Sequence, residues 1–316
     1  MKVTILDGFS VTQNDLDWHQ LSETPNLEVN IFDRTPATLT TARCQDAEAV
    51  LTNKVVFTAE TLAQLPRLRY IGVLATGYNV VDTLEAHRRG IVVTNIPAYS
   101  TPSVVQLTMA HLLNATNSVA HYAHENQKGR WSQSPDFLWM DTPVTELSGK
   151  TMVIRGMGNI GTGVARVAQA LGMHVVAVTG RTDLPEGVSR MSWAEALSQA
   201  DVLSLHCPLT PDTHHIINAQ SLSQMKPTAI LINTGRGPLV DETAVAQALH
   251  KGQLGAYCAD VLSEEPPQPS NPLLTAPRCY LTPHIAWASR EARKRLIATA
   301  VDNLQAFVDG HPVNTV

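Results

Sequence analysis

The segment that most constrains how this chain folds is Gly156-Met157-Gly158-Asn159-Ile160-Gly161. A short apolar run, residues 151–154, precedes it, and an amphipathic stretch that ends near Gly172 follows it. A second apolar run, residues 174–178, comes next. This order predicts a strand, a glycine turn, a helix and a second strand, which is the context that a GxGxxG pattern requires before it indicates a ligand.

Each glycine of this segment has a predicted role in binding a dinucleotide. Gly156 permits the tight turn, Gly158 lets a pyrophosphate approach the backbone, and Gly161 lets the helix pack closely against the strand. The phosphates would accept from free N–H groups at the helix start, where the helix dipole favours negative charge. We therefore predict that these glycines, with Asn159 and Ile160, contact a dinucleotide. The alternative is a glycine-rich turn without a ligand.

Strand-sized apolar runs alternate with helical patterns along the rest of the chain. Strands are predicted before the glycine segment at residues 2–7, 27–32, 47–51, 68–74 and 91–94, and after it at residues 201–205, 229–233, 255–260 and 279–282. Two long helical patterns cover residues 103–124 and 288–310. Because this alternation indicates parallel sheets covered on both faces, the predicted fold class is α/β with two doubly wound parallel-sheet domains. The six strands from residue 151 onward match a full dinucleotide-binding fold.

Composition and charge narrow the class of protein. The chain has 316 residues, of which 44% are hydrophobic and 16% charged, so it is long enough for two domains and typical of a globular protein. The net charge of −5, with no basic block, argues against nucleic acid or an anionic membrane as a partner. No apolar run is long enough for a transmembrane helix, and the N-terminus lacks the apolar region of a signal peptide. The widely spaced cysteines (Cys44, Cys207, Cys258 and Cys279) predict reduced thiols in a cytoplasmic protein, and no cluster predicts a metal site.

Three strand ends carry side chains that suit one reaction. Arg236, Glu265 and His284 each follow one of the last three predicted strands. A guanidinium holds a carboxylate with two parallel hydrogen bonds, and an imidazolium gives a proton to a ketone oxygen. A carboxylate favours the protonated form of a neighbouring imidazole. Together these residues predict chemistry on a 2-keto acid, although each of them alone also fits a purely structural role.

Five motifs carry a resemblance to a known family. They are GMGNIG (156–161), HCPLTPDT (206–213), INTGRG (232–237), DVLSEEP (260–266) and TPHIA (282–286). With them, the chain resembles the D-isomer-specific 2-hydroxyacid dehydrogenases along its whole length. The resemblance implies that Arg236, Glu265 and His284 are the catalytic residues. Other segments, among them LATGYNVVD (74–82) and SPDFLWMDTP (134–143), are similar to the glycerate dehydrogenase or hydroxypyruvate reductase branch of that family.

The resemblance also implies a discontinuous domain arrangement. A substrate-binding domain of flavodoxin-like fold would take residues 1–98 and regain the C-terminal helix within residues 286–316. A Rossmann coenzyme domain, residues 99–285, would be inserted between these two parts.

Further contacts are expected at other positions. The substrate would be held by Arg236, His284 and the backbone N–H groups of a strand-end loop formed by Leu74, Ala75, Thr76 and Gly77, because small residues end this strand and Gly77 suits a close backbone approach. The alternative is an ordinary turn from strand to loop. Dinucleotide contacts beyond the glycine segment are expected from Cys207, Pro208, Thr213, Thr234, Gly235, Arg236, Asp260, His284 and Ala286. A homodimer through the coenzyme domain is expected because the apolar cluster of Trp131, Phe137, Trp139 and Met140 is typical of a contact surface. The alternative is that this cluster packs within its own chain.

Two positions depart from the usual pattern of the family. Arg155 closes the strand before the glycines, where an apolar residue is usual; contact with a phosphate, pairing with a carboxylate and toleration at the strand tip all stay open. Thr179 stands where an acidic residue usually binds the adenosine ribose. With Gly180 and Arg181 following it, this predicts NADP(H) in preference to NAD(H), because a guanidinium suits a 2′-phosphate. The alternative is that Arg181 stacks on the adenine and that Asp183 folds back to the ribose.

The predicted activity is hydride transfer between NAD(P)H and a small 2-keto acid, with hydroxypyruvate or glyoxylate giving D-glycerate or glycolate. One alternative is another 2-hydroxy acid specificity within the same family. A second alternative is a dinucleotide-sensing binding protein, because transcriptional corepressors of this family use the same fold. The expected partners are therefore a small acid and a second copy of the chain, and neither nucleic acid nor a membrane.

Overall fold

The computed structural model describes residues 1–316, which divide into two compact units. The first unit contains residues 1–100 and 287–316, and the second contains residues 101–286. None of the helices combines the length and the apolar character needed to cross a membrane. The four cysteines are free thiols, and the cytoplasmic location expected from their spacing stays a prediction.

Strands and helices alternate along most of the chain. The twelve strands are β1 (Lys2–Ile5), β2 (Glu28–Ile31), β3 (Ala49–Thr52), β4 (Tyr70–Val73), β5 (Val92–Thr94), β6 (Thr151–Arg155), β7 (His174–Val178), β8 (Val188–Arg190), β9 (Val202–Leu205), β10 (Ile230–Asn233), β11 (Ala256–Ala259) and β12 (Cys279–Leu281). The twelve α-helices are α1 (Phe9–Thr12), α2 (His19–Ser22), α3 (Thr40–Cys44), α4 (Ala59–Ala63), α5 (Thr83–Arg88), α6 (Thr101–Asn117), α7 (Val119–Gln127), α8 (Asn159–Ala170), α9 (Trp193–Gln199), α10 (Ala219–Ser223), α11 (Glu242–His250) and α12 (Arg290–Val308). Short 3-10 helices occupy four connections: Ala37–Leu39, Trp131–Gln133, Gly237–Leu239 and Pro272–Leu274.

The strands of the first unit form one parallel sheet in the order β2-β1-β3-β4-β5. This is the order of flavodoxin-like sheets, in which the direction of strand addition changes between β1 and β3. The central strands β3 and β4 are buried along their whole length, as expected for a sheet that is covered on both faces. Strand β2, at the edge, is mostly exposed. The sheet is therefore doubly wound, as the alternation of strands and helices predicted.

The C-terminal helix α12 completes the core of the first unit. Its residues Leu296, Ala300 and Leu304 recur every fourth position, which puts them on one helical face. All three are buried, and they belong to the same core cluster as Ile5 and Tyr70 of the sheet. Burial of this face explains why the end of the chain folds with its beginning.

A buried arginine ties α12 to the segment after α1. The Arg293 side chain is 7% exposed, and it donates to the two carboxylate oxygens of Asp15 at 2.5 and 2.8 Å. It also donates to the carbonyl oxygens of Val11, Thr12 and Ala288. The guanidinium is thus paired and hydrogen-bonded, which is the condition under which a charge is buried. Its hydrogen bonds hold the pKa of Asp15 below the usual value.

The strands of the second unit form a parallel sheet in the order β12-β11-β10-β9-β6-β7-β8. Counted from β6, this is the strand order of a Rossmann fold with one further strand beside it. Side chains of β6 alternate between two cores. Val153 packs in the cluster that contains Ala196 of α9, whereas Met152 and Ile154 pack in the cluster that contains Val164 of α8. Helices therefore cover both faces of this sheet as well.

Some local elements differ from the sequence-based expectations. The helix predicted over residues 103–124 is two helices, α6 and α7, and Ser118 between them adopts a left-handed conformation with a φ of 51°. The dinucleotide-binding unit has seven strands instead of six. The additional strand, β8, has three residues, of which two are exposed, so it carries no apolar pattern. Helices α1 to α3 are four or five residues long, which is too short for a periodic signal.

We expect the pair of Arg293 and Asp15 to make stability depend on pH. An aspartate whose pKa is depressed on folding stabilises the protein above its unfolded pKa of roughly 3.9, and this contribution is lost as the pH falls through the folded value. The free energy of unfolding, from urea titrations, should be lower for Asp15→Asn than for wild type at neutral pH. The difference should shrink below about pH 4. Asp302→Asn, at an exposed position of α12, is the control, and a deficit of Asp15→Asn that is constant with pH would contradict the expectation.

Candidate active site

The glycine turn after β6 leaves room for a phosphate at the start of α8. Gly156 has a φ of 99°, and a Cβ atom there would lie 2.6 Å from the carbonyl oxygen of His206. A Cβ on Gly161 would lie 2.1 Å from the carbonyl oxygen of Gly156. A Cβ on Gly158 would meet no atom within 4 Å, and no side chain caps the first N–H groups of this 12-residue helix, which starts at Asn159. The open space and the uncapped N–H groups fit the pyrophosphate of a dinucleotide.

The loop after β7 contains the residues predicted to select the cofactor. The Thr179 hydroxyl accepts from the Arg181 N–H at 3.2 Å, and a Cβ on Gly180 between them would meet open space. Arg181 Nη1 donates to the carbonyl oxygen of Met157 at 3.1 Å, which holds the guanidinium against the glycine turn. Its Nε donates to Asp183 Oδ1 at 3.1 Å, and its Nη2 donates to Asp183 Oδ2. Asp183 therefore occupies the fork of donors that was predicted to take a phosphate.

One predicted cofactor residue, Thr213, stabilises the loop after β9 from within. Thr213 is 7% exposed, and its hydroxyl donates to the carbonyl oxygen of Pro208 at 2.7 Å. The hydroxyl oxygen of Thr213 also accepts from the N–H of Thr210 at 2.7 Å. Its side chain is thus used inside the loop, whereas Pro208 is exposed and Cys207 is half-buried. Burial raises the pKa of the Cys207 thiol, which keeps it protonated.

The turn after β10 presents Arg236 to solvent. The Asn233 side chain donates to the carbonyl oxygen of Arg236 at 2.8 Å and accepts from the N–H of Gly235 at 3.1 Å, so it fixes the turn at both ends. Thr234 is buried, and its hydroxyl lies 2.9 Å from that of Thr108 on α6. Arg236 Nη1 donates to the carbonyl oxygen of Gly235 at 2.8 Å, and no carboxylate of the chain pairs with the guanidinium. The arginine is therefore open to an anionic ligand.

Glu265 and His284 are in direct contact. His284 Nδ1 lies 2.5 Å from Glu265 Oε2, and the two side chains are 30% and 33% exposed. The other carboxylate oxygen of Glu265 accepts from the N–H of Leu262 at 2.9 Å, which orients the carboxylate. Because an ionised carboxylate only accepts, His284 Nδ1 carries the hydrogen of this bond. The second ring nitrogen, Nε2, has no partner in the chain.

The sheet brings the three predicted catalytic residues to one edge. Strand β10 pairs with β11, and β11 pairs with β12, all in parallel. Arg236, Glu265 and His284 follow the carboxyl ends of these three strands in turn. Glu265 and His284 touch, whereas the Arg236 side chain bonds to neither of them.

The carboxylate of Asp260, at the end of β11, organises the turn that carries His284. Asp260 is 1% exposed, and its Oδ1 accepts from the Thr282 hydroxyl at 2.6 Å and from the Ile285 N–H at 2.9 Å. Its Oδ2 accepts from the N–H of Ala286 at 2.7 Å. His284 has a φ of 53°, a left-handed conformation that is uncommon outside glycine. These bonds hold the chain on both sides of His284. Asp260 and Ala286, which were predicted to contact the cofactor, therefore have a structural role in this turn.

His111 on α6 extends this network, and sequence reasoning gave it no role. Its Nε2 lies 3.0 Å from the hydroxyl of Thr282, a residue 171 positions away in the sequence. Burial lowers the pKa of His111, so its ring is neutral at pH 7. Helical spacing places His111 on a buried face of α6, but no local signal indicates a contact over that sequence distance.

The predicted substrate loop follows β4 in the first unit. Leu74 is buried, and its carbonyl oxygen accepts from the Asn53 side chain at 2.6 Å. The backbone N–H groups of Ala75, Thr76 and Gly77 donate to no group of the chain. They are therefore available to an acceptor, which is what the prediction requires of them.

Neither of two cavities in the chain is lined by the predicted site residues. A cavity of about 690 Å³ lies among the loops after β1, β2 and β3, and Asp7, Arg34 and Lys54 contribute to its lining. None of the predicted site residues lines it. A cavity of 450 Å³ in the second unit is lined in part by His111 and Thr282. No group of three or more His, Cys, Asp or Glu side chains is arranged to hold a metal ion. We place the candidate active site at the strand ends, because the groups able to exchange a proton and hold a carboxylate meet there.

Known proteins resemble this chain along its whole length. The family described as D-isomer specific 2-hydroxyacid dehydrogenase, NAD binding domain, matches residues 109–286. The hydroxypyruvate reductase of Blautia hydrogenotrophica is 43% identical over 322 residues, which cover 100% of this chain and 99% of that protein. The glycerate dehydrogenase of Methylorubrum extorquens is 42% identical over 276 residues, which cover 87% of each protein.

Solved structures agree with this relationship. An acyclic imino acid reductase in complex with NADPH and D-Arg has a TM-score of 0.86 at 28% identity, with 100% of both chains covered. The D-lactate dehydrogenase of Aquifex aeolicus, complexed with NAD and lactic acid, has a TM-score of 0.83 at 30% identity. That comparison covers 98% of this chain and 96% of the other.

The doubly wound fold and the open glycine turn define a dinucleotide-binding protein. The extent of the similarity shows that the chain belongs to the D-isomer-specific 2-hydroxyacid dehydrogenase family, which confirms the resemblance seen in its motifs. Its cofactor is a nicotinamide dinucleotide.

The two glycines at the start of α8 should respond differently to alanine. Gly158→Ala should leave the free energy of unfolding within about 0.5 kcal/mol of wild type, because its Cβ enters open space. The same Cβ would occupy the approach of the phosphates, so the affinity for NADH should fall. Gly161→Ala should cost about 1–3 kcal/mol of stability, because its Cβ overlaps the carbonyl oxygen of Gly156. Urea unfolding and fluorescence titration with NADH check both expectations, and unchanged NADH affinity in Gly158→Ala would contradict the placement of the phosphates.

Proposed function

We propose that this protein reduces a short 2-keto acid, with hydroxypyruvate and glyoxylate as favoured substrates, to D-glycerate or glycolate. The observation that carries the proposal is the 2.5 Å contact of His284 with Glu265, at strand ends beside the one that presents Arg236. The relatives at 42% and 43% identity, a glycerate dehydrogenase and a hydroxypyruvate reductase, support this choice of substrates. The reaction requires a proton donor, a carboxylate clamp and a hydride donor, and the chain offers the first two.

His284 exchanges the proton in this proposal. Glu265 keeps a hydrogen on Nδ1 and so orients the ring, which leaves Nε2 to exchange a proton with the substrate. When bound, the dinucleotide supplies the hydride that reaches the keto carbon. As negative charge develops on the ketone oxygen, the Nε2 proton neutralises it, and in the reverse direction the neutral ring accepts the proton of the hydroxyl group.

Arg236 holds the substrate carboxylate in this proposal. Its guanidinium is planar and permanently charged, and no carboxylate of the chain competes for it. Two parallel N–H donors match the two oxygens of a carboxylate, so the keto group is fixed in orientation as well as in position. The N–H groups of Ala75, Thr76 and Gly77, which donate to no group of the chain, are also proposed to bind a substrate carboxylate.

Replacement of His284 should lower turnover far more than it lowers cofactor binding. Purified protein should consume reduced cofactor when hydroxypyruvate is added. His284→Ala should lower kcat by roughly 100- to 10,000-fold, because proton transfer acts in the transition state. Dinucleotide affinity, from fluorescence titration, should change little. His174→Ala, at an exposed position where β7 begins, is the matched control, and near-normal turnover of His284→Ala would refute the assignment.

The same assay separates this proposal from its alternatives. Arg236→Lys should not restore the kcat/KM lost in Arg236→Ala, because an ammonium group does not reproduce the fork of two donors. Comparing kcat/KM over a series of 2-keto acids of increasing length identifies the preferred substrate. Tight dinucleotide binding with no turnover of any acid in the series would instead support a dinucleotide-sensing protein.

We infer further that NADP(H) is preferred to NAD(H). Thr179 at the end of β7 provides a hydroxyl where a carboxylate would repel a 2′-phosphate. Arg181 is already held against the glycine turn by the carbonyl oxygen of Met157. A phosphate would replace the Asp183 carboxylate on the same donors. Because this ion pair is exposed, breaking it costs little stability. The relative solved with NADPH supports the inference, although another was solved with NAD.

Two substitutions should move NADPH affinity in opposite directions. Wild type should bind NADPH more tightly than NADH. Arg181→Ala should weaken NADPH binding by about tenfold or more and leave NADH binding nearly unchanged, because only NADPH carries the 2′-phosphate. Asp183→Asn should tighten NADPH binding, since it frees the guanidinium. Titrations of both cofactors against all three proteins test this, and equal affinities in the wild type would reject the preference.

A homodimer that forms through the second unit is also proposed. Four large apolar side chains of one segment are exposed: Trp131, Phe137, Leu138 and Met140. Trp139, expected in the same exposed cluster, instead packs within its own chain, with its ring centroid 4.9 Å from that of Tyr122 and Arg130 stacked on it at 4.1 Å. These contacts hold the segment in shape while its other apolar side chains face solvent. Such a surface is typical of contacts between subunits.

Light scattering tests the dimer. Wild-type protein at micromolar concentration should show twice the mass of the chain. Phe137→Asp, at a side chain that is 86% exposed, should shift the protein to monomer because a buried unpaired charge opposes association. Leu84→Asp, at a side chain of the first unit that is 78% exposed, is the control and should leave the mass unchanged. A monomeric wild type would disprove the dimer and leave the proposed reaction standing.

A further inference from the structure

Arg155 lies at the point where the second sheet changes its direction of winding. It is the last residue of β6 and is aligned with Val178 of β7 on one side and with Leu205 of β9 on the other. The glycine turn follows it directly. In open parallel sheets, a ligand-binding crevice forms outside the carboxyl ends of the strands at such a switch point. Arg155 therefore puts a permanent positive charge at the edge where this fold holds its dinucleotide.

The Arg155 side chain has no ionic partner. Its Cζ lies 5.5 Å from the ring centroid of Trp193, the first residue of α9, and its charge acts on the thiol of Cys207 after β9. No carboxylate pairs with it, and its Nε is buried without a hydrogen-bond partner. An unpaired buried donor lowers stability, and an apolar side chain at the end of a buried parallel strand would not. A structural ion pair therefore does not explain this arginine.

A second unpartnered polar atom lies on the adjacent strand end. The N–H of His206 donates to the carbonyl oxygen of Arg155 at 2.8 Å, which makes the two residues neighbours. His206 Nε2 is 2.8 Å from the hydroxyl of Ser204, whereas its Nδ1 is buried and bonds to nothing in the chain. Buried polar groups in folded proteins normally have partners. Two such unpartnered atoms, Arg155 Nε and His206 Nδ1, lie at one switch point, which indicates that a ligand completes their hydrogen bonding.

We propose that Arg155 is a cofactor-binding residue that donates to the adenosine half of the dinucleotide. The loops after β7 and β9, which contain Thr179 and Cys207, flank it, and in this fold they border the adenosine end. The guanidinium keeps its charge when desolvated, and Trp193 steadies it through a cation–π contact. Arg155 acts on the part that NAD(H) and NADP(H) share, whereas Arg181 acts on the 2′-phosphate. The inference rests on the dinucleotide-dependent function proposed above, but not on the preference for NADP(H).

The test compares affinity with stability in Arg155→Met. Dissociation constants for ADP-ribose, NADH and NADPH, from calorimetric titration, should all rise by a similar factor of about ten or more. The melting temperature of the cofactor-free protein should stay the same or rise, because methionine fills the strand end without an unpaired charge. Arg166→Met, at an exposed position of α8, is the matched control and should change neither quantity.

A loss of dinucleotide affinity without a loss of thermal stability distinguishes a binding arginine from a structural one. Unchanged ADP-ribose affinity in Arg155→Met would overturn the proposal, and so would a loss confined to NADPH. A fall in the melting temperature of the cofactor-free variant would also overturn it, because a structural arginine loses stability first. If wild type binds NADH and NADPH equally, the cofactor preference fails, whereas a common loss in Arg155→Met still supports the role of Arg155.

Discussion

Parallel pairing of the strands is the constraint on which this protein depends. Because β6, β9, β10, β11 and β12 run in one direction, their carboxyl ends meet at the same edge of the second sheet. The glycine turn and the residues Arg236, Glu265 and His284 lie at that edge, although they are far apart in the sequence. Helices on both faces bury the strands, so the polar chemistry is confined to the loops at their ends.

Buried polar groups then hold these loops in shape. Asp260 accepts from both sides of the turn that carries His284, Asn233 closes the turn that carries Arg236, and a backbone N–H orients Glu265. His284 keeps a left-handed backbone conformation that few residues other than glycine adopt. Groups fixed in this way need little reorganisation when charge develops on a substrate, which is why such preorganisation favours catalysis.

The two arginines beside the glycine turn illustrate how environment separates similar side chains. Arg181 is half-exposed and paired with Asp183, so any anion that binds this guanidinium has to displace an exposed, weakly held partner. Arg155 is partly buried, has an unbonded Nε and closes a strand where an apolar residue would pack better. An unpaired cation at this position lowers the stability of the fold. Residues that lower stability in this way are usually found at functional sites.

The sequence alone is sufficient to predict the glycine turn, the alternation of strands and helices, and the positions of Arg236, Glu265 and His284 after three strand ends. These features follow from local spacing, because a period of two or of 3.6 residues and the needs of a tight turn are encoded over a few positions. The break at Ser118, the exposed strand β8, the contact of His111 with Thr282 and the inward packing of Trp139 are not encoded in this way. Each depends on which distant segment packs against the residue, and that is decided when the whole core forms.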